Sequence, residues 1–199
     1  MAVKRFLSDE RAAASIEYVI LLLPLIALVF TSFQIALAYH FALTAQKAVQ
    51  LGARIAAVRD PVSVAMPREN TLDTSSGFEI GDPCGLGACV DPGGPWTCTG
   101  AEAGSGQCDA AAFAEIYSEV GRVAYLLQPG DLTVRYSYGR LGFAGGPFTP
   151  IVEVIIEERP FFLQFFFNLA FGSGEDSSNE LRLPAVAASA IAEDLSSTN

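Results

Sequence analysis

A chain of 199 residues with 51% apolar and 17% charged side chains is too apolar for a disordered polypeptide, and it has room for a membrane segment plus one compact domain. Its net charge of −10 is unevenly spread: residues 1–59 carry six Lys/Arg against three Asp/Glu, and residues 60–199 carry six against nineteen. So acidic a domain repels phosphate backbones and anionic lipid heads, which argues against a nucleic-acid partner or docking of the domain on a charged membrane surface.

In chain order, the first element is a long apolar run. No formally charged side chain lies between Glu17 and Lys47, and Tyr18–Leu43 is overwhelmingly apolar. At about 1.5 Å per residue this run exceeds a hydrocarbon core of roughly 30 Å, so it spans a bilayer with some tilt. Pro24 inside it predicts a local kink rather than a break. The basic flanks, Lys4, Arg5 and Arg11 on one side and Lys47, Arg54 and Arg59 on the other, leave the orientation close to a tie. A secretory signal cleaved after "ALA" (Ala36–Ala38), before Tyr39, competes with the membrane span, but the apolar run is longer than such signals and the helical patterning continues past the site.

Beyond the bilayer, "TAQKAVQLGARIAAVRD" keeps Ala45, Val49, Gly52 and Ala56 on one stripe. This predicts a single helix from about Ser8 to Arg59, stopped by Pro61, half in lipid and half a spine for the domain. The small side chains serve close approach, either to another subunit or to the domain's own sheet.

Residues 62–108 are rich in Gly, Pro, Asp, Ser and Thr and read as a long loop. Cys84, Cys89, Cys98 and Cys108 all fall in it. An even count clustered in a loop predicts two disulfides in an oxidising compartment, with three connectivities open. The spacings lack the paired C-x2-C knuckles of structural zinc, so no metal is expected. A disulfide-bearing domain belongs outside the cell membrane, which places the N-terminus in the cytoplasm. Trp96, set among the cysteines, reads as packing that covers them.

From Asp109, a good N-cap, Phe113, Ile116, Tyr117, Val120, Ala124 and Leu127 recur at helical intervals until Gln128–Gly130 ends the run. "LTVRYSY" (132–138) alternates as a half-buried strand, and "IVEVIIEE" from Ile151 does the same after the Gly145-Gly146-Pro147 reversal, suggesting an antiparallel pair. "PFFLQFFFNLAF" (160–171) holds six of the fourteen Phe and is too short to span, so it reads either as core under the sheet, the preferred reading, or as an exposed apolar patch that awaits a partner. "RLPAVAASAIAEDL" fits helix as well as strand.

No phosphate-binding loop, H-E-x-x-H or G-x-S-x-G occurs, and the one histidine, His40, lies in the apolar helix as an interfacial polar residue. Glu157 and Glu158, read as strand neighbours, point to opposite faces and make a poor carboxylate pair. No catalytic residue, cofactor or enzymatic activity is expected.

A carboxylate at the mouth of the apolar run, Glu17, does nothing for an ordinary anchor. The stretch "AAASIEYVILLLPLI", followed by "TAQKAVQLGARIAAVRDP", resembles the N-terminal half of TadE-like minor pseudopilins of the tight-adherence (Flp) pilus system. The resemblance implies a basic leader, residues 1–12, cleaved by a prepilin peptidase between Ala12 and Ala13, so that Glu17 becomes the fifth mature residue and Tyr18 the sixth. Ala12 stands where the family has Gly. Such a Glu is costly in an apolar helix bundle unless a cation meets it, and the resemblance implies that the new amine of Ala13 on a neighbouring subunit supplies that cation. The resemblance further implies a closing strand within "RLPAVAASAIAEDL".

The fold class expected is therefore α+β: a long N-terminal membrane-spanning helix continuing as a spine, packed on a small antiparallel sheet with one further helix. Residues 13–59 form the membrane helix and spine, and 60–199 the extracytoplasmic domain. The implied partners are other pilin or pseudopilin subunits, the prepilin peptidase, inner-membrane assembly machinery and membrane lipid. The competing function is a membrane-tethered or secreted binding domain unrelated to pili.

Overall fold

Helix α1 runs unbroken from Glu10 to Ala56, through Pro24, in a computed structural model that describes residues 10–75, 77–125, 127–160 and 182–192. Residues 1–9 of the expected leader and residues 161–171 of the Phe-rich segment lie outside the described residues. The helix stops three residues short of the expected Arg59. Ala57 N–H still donates to Ala53 O (3.0 Å), but Val58 N–H turns to Ile55 O (3.1 Å), and the chain unwinds before Asp60, which the following Pro61 bars from helical geometry. Contacts divide the described chain into two units: residues 10–40 belong to one, and 41–160 with 182–192 to the other.

The second unit carries an antiparallel sheet in the order β1 (Trp96–Thr99), β2 (Leu132–Tyr138), β3 (Pro150–Ile156), β6 (Val186–Ile191). A separate two-stranded ladder pairs β4 (Arg159–Pro160) with β5 (Arg182–Leu183). The alternation in "LTVRYSY" puts Leu132, Val134 and Tyr136 in the core, opposite Ile156, Val154 and Val152 of β3. The ambiguous C-terminal segment is a strand, with Val186, Ala188 and Ala190 half-buried on one face and Ala187, Ser189 and Ile191 exposed on the other. Short β1 sits inside what reads from sequence as loop; Cys98 faces the core opposite Val134.

Helix α2 (Ala110–Val123) starts where its cap predicts: the Asp109 carboxylate accepts from Ala111 N–H (2.7 Å) and Ala112 N–H (3.1 Å). It buries Phe113, Ile116 and Val120, and ends before the Gln128–Gly130 stop because Ala124 leaves helical geometry. Ala124 and Leu127 are buried nonetheless, in the irregular turn beyond it. Ala45, Ala48, Val49, Ala53 and Ala56 of α1 share one core with these α2 residues and the inner face of the sheet. Gly52 marks the closest approach, since a Cβ there would lie 2.7 Å from Val120 Cγ2 and 3.2 Å from Val154 Cγ1. The small stripe of the spine is used on the domain's own helix and sheet.

The segment 62–108 is irregular but tied down. At its base Val64 N–H donates to Gln107 O (2.9 Å) and Asp109 N–H to Val62 O (2.8 Å). Further out, isolated bridges join Glu69 to Pro147 and Pro83 to Phe143, knitting the loop to the β2–β3 connection, and Leu72 to Cys89 within the loop itself. Glu157 and Glu158 follow the end of β3 at Ile156 rather than lying on it, and both are exposed.

Candidate functional site

Ala12, Ala13, Glu17 and Tyr18 all lie within the first turns of α1. Glu17 and Tyr18 are exposed, and among the described residues no ion pair involves Glu17. Glu17 stands four residues after Ala13, so the two share one helix face one turn apart. From Tyr18 onward the helix presents large apolar side chains outward, Val19, Ile20, Leu21, Leu25 and Leu28 among them. The segment is long and apolar enough to cross a membrane. Within it two hydroxyls satisfy themselves on the helix backbone, Thr31 donating to Ala27 O (2.7 Å) and Ser32 to Val29 O (2.8 Å). His40 is exposed near the end of the run.

Residues 12–54 match the model of the family described as TadE-like protein. The match spans nearly all of α1 and stops before the cysteine loop, so the helix that carries "SIEYV" is similar to TadE-like proteins, in line with the resemblance read from the sequence. No curated protein and no solved structure matches the chain.

In the domain that follows the TadE-like helix, the four cysteines form Cys84–Cys89 and Cys98–Cys108, with Cα atoms 4.8 Å and 5.9 Å apart. The second bridge joins β1 to the base of the loop inside the main core; the first lies in a small core of its own with Ala88 and Ala144, flanked by Leu72, Phe78 and Tyr138. Trp96 packs edge-on against Phe148, at 5.7 Å between ring centres, and Phe148 in turn stacks on Tyr138 at 5.9 Å. Among the described residues no cluster of His, Cys, Asp or Glu is arranged to hold a metal ion.

Two anchoring residues escape sequence reasoning. Buried Tyr136 accepts a hydrogen bond from Val62 N–H at its phenol oxygen (3.1 Å), fixing the start of the loop. Burial pushes that phenol up to about 12, with the Val62 N–H pulling the other way. Asn70, also buried, donates from Nδ2 to Pro147 O (3.0 Å) and Leu141 O (3.4 Å), clamping the β2–β3 connection from across the loop. A Tyr inside an alternating strand and an Asn inside a polar loop are ordinary in sequence, and their partners lie more than seventy residues away. Burial, and a weaker Asp91 charge beyond it, likewise raise the Tyr138 phenol against the opposing Arg140, while the Ser75 hydroxyl and N–H hold the exposed Asp73 carboxyl below its usual range.

Proposed function

We propose that the protein is a minor pseudopilin of a tight-adherence pilus, held in the bacterial inner membrane by α1 with its N-terminus in the cytoplasm and its disulfide-bearing domain in the periplasm. The family match over residues 12–54 carries this reading. It is supported by the exposed apolar surface of α1 and by two disulfides in the following domain, which suit an oxidising compartment. In this reading the peptidase cuts between Ala12 and Ala13. The amine so formed meets Glu17 of a neighbouring subunit, an attraction strengthened by the apolar surroundings and lost with either charge. Assembly register then follows from one ion pair, while the surrounding leucines and isoleucines supply contact without register. The cysteine-tied domain takes no part in this step and faces the other pilus components.

The test is the intact mass and N-terminal residue of the chain recovered from host membranes. A start at Ala13 is the expected result; a start at Tyr39, or an uncleaved chain, overturns the processing step. With processing established, Glu17→Gln removes the charge at nearly constant shape, and pilus assembly scored by electron microscopy is expected to fall by an order of magnitude or more, while the domain's thermal unfolding stays unchanged.

A further inference from the structure

The lobe built by residues 68–91 and 139–147 holds large apolar side chains outside its core. Ile80 and Leu86 are 78% and 71% exposed, and Phe143 is 48% exposed. Ile80 and Phe143 lie over the same dipeptide: a Cβ on Gly145 would fall 2.9 Å from Ile80 Cγ2, and one on Gly146 2.5 Å from Phe143 Cε2. Leu86 projects from the short helical turn Cys84–Leu86, within the ring closed by the Cys84–Cys89 disulfide. Single exposed apolar residues are common, but two that share one backbone platform, with a third on the adjoining disulfide ring, call for a covering partner.

The platform is rigid rather than floppy. Gly81 N–H donates to Ala144 O and Ala144 N–H to Asp82 O (both 2.9 Å), Cys84 N–H donates to Gly142 O (3.0 Å), and the Asn70 amide locks the far side of the connection. Side chains held exposed on a fixed scaffold lose little entropy on binding, which is the arrangement of an interface centre. The two segments that carry them are acidic in sum. Glu69, Asp73, Glu79, Asp82 and Asp91 stand in these two segments against Arg68 and Arg140, and Glu79 and Asp82 bracket Ile80.

We propose that Ile80, Leu86 and Phe143 form the centre of a docking surface for a protein partner whose own apolar patch is rimmed by Lys and Arg. Charge complementarity selects that occupant. A second copy of this chain would bring the same acidic rim against itself, so the surface serves a different protein. The inference does not depend on leader cleavage or on Glu17.

A photoreactive benzoylphenylalanine placed at Leu86 in the full chain, expressed in the host and irradiated in whole cells, tests it. One cross-linked protein is expected, its attached peptide carrying apolar residues among lysines or arginines. Ile80→Ser and Glu79→Lys, both at exposed positions, are each expected to lower the cross-linking yield about tenfold, the size of a lost interface anchor, with thermal unfolding of the chain unchanged. Cross-linking to a second copy of the chain, a partner peptide without basic residues, a yield indifferent to both substitutions, or no cross-link at all would each overturn the proposal.

Discussion

Tyr136 shows how much one side chain decides. Its ring belongs to the core, and its hydroxyl is the acceptor for the buried N–H of Val62, the first residue of the long loop. Tyr136→Phe keeps the ring but leaves that N–H without its partner, so a loss of about 1–3 kcal/mol is expected by urea denaturation. The same residue sets an alkaline limit. An unfolded tyrosine ionises near 10.0 and the folded one near about 12, so the folded state holds its proton longer. The stabilisation is complete below pH 10 and is lost as pH rises from 10 through 12. A urea midpoint followed over that range is expected to fall more steeply for the native chain than for Tyr136→Phe.

At the scale of the element, α1 divides its labour along its length. Toward its C-terminal end, Ala45, Ala48, Val49, Ala53 and Ala56 bury a face of small side chains, and Gly52 lets the helix approach Val120 and Val154. Gly52→Ala sets two effects against each other: a helix-propensity gain of about 1 kcal/mol and overpacking of about 1–3 kcal/mol. Overpacking should prevail because both valines are fully buried and one of them would meet the new Cβ at 2.7 Å. A lower thermal midpoint with unchanged helix content by circular dichroism is the expected result; a rise would mean the helix has room to shift. Toward the N-terminus the same helix keeps its apolar side chains outward, the opposite of what a soluble core helix does.

For the molecule as a whole, the two disulfides have unequal reach. Cys98–Cys108 closes a ten-residue separation within the main core, and Cys84–Cys89 a five-residue one within the small outer core. Loop entropy assigns each about 2–3 kcal/mol, but the consequences differ in extent. Replacing Cys98 and Cys108 by Ala is expected to lower the global unfolding free energy by about 3 kcal/mol. Replacing Cys84 and Cys89 is expected to raise amide exchange chiefly in residues 70–90 and 139–147, with β2 and β3 protected as before. Hydrogen exchange read by mass spectrometry separates the two outcomes.

Much of this architecture was legible in the amino-acid order because it rests on local physics. The apolar run with a helical period is a helix in any context, Asp109 caps the helix that follows it, and the alternation of 132–138 sets Leu132, Val134 and Tyr136 on one face. The family signal also lies in contiguous residues around Glu17, which is why it was readable. What needed the tertiary structure was everything decided by a distant partner. Trp96–Thr99 is a strand only because β2 supplies its hydrogen bonds, and the alanines of 186–191 are extended only because β3 offers an edge, since their pattern suits both periods. The cysteine pairing, the Tyr136 and Asn70 anchors, and the inward use of the Gly52 stripe likewise depend on groups brought close by the fold, and no spacing along the chain encodes that proximity.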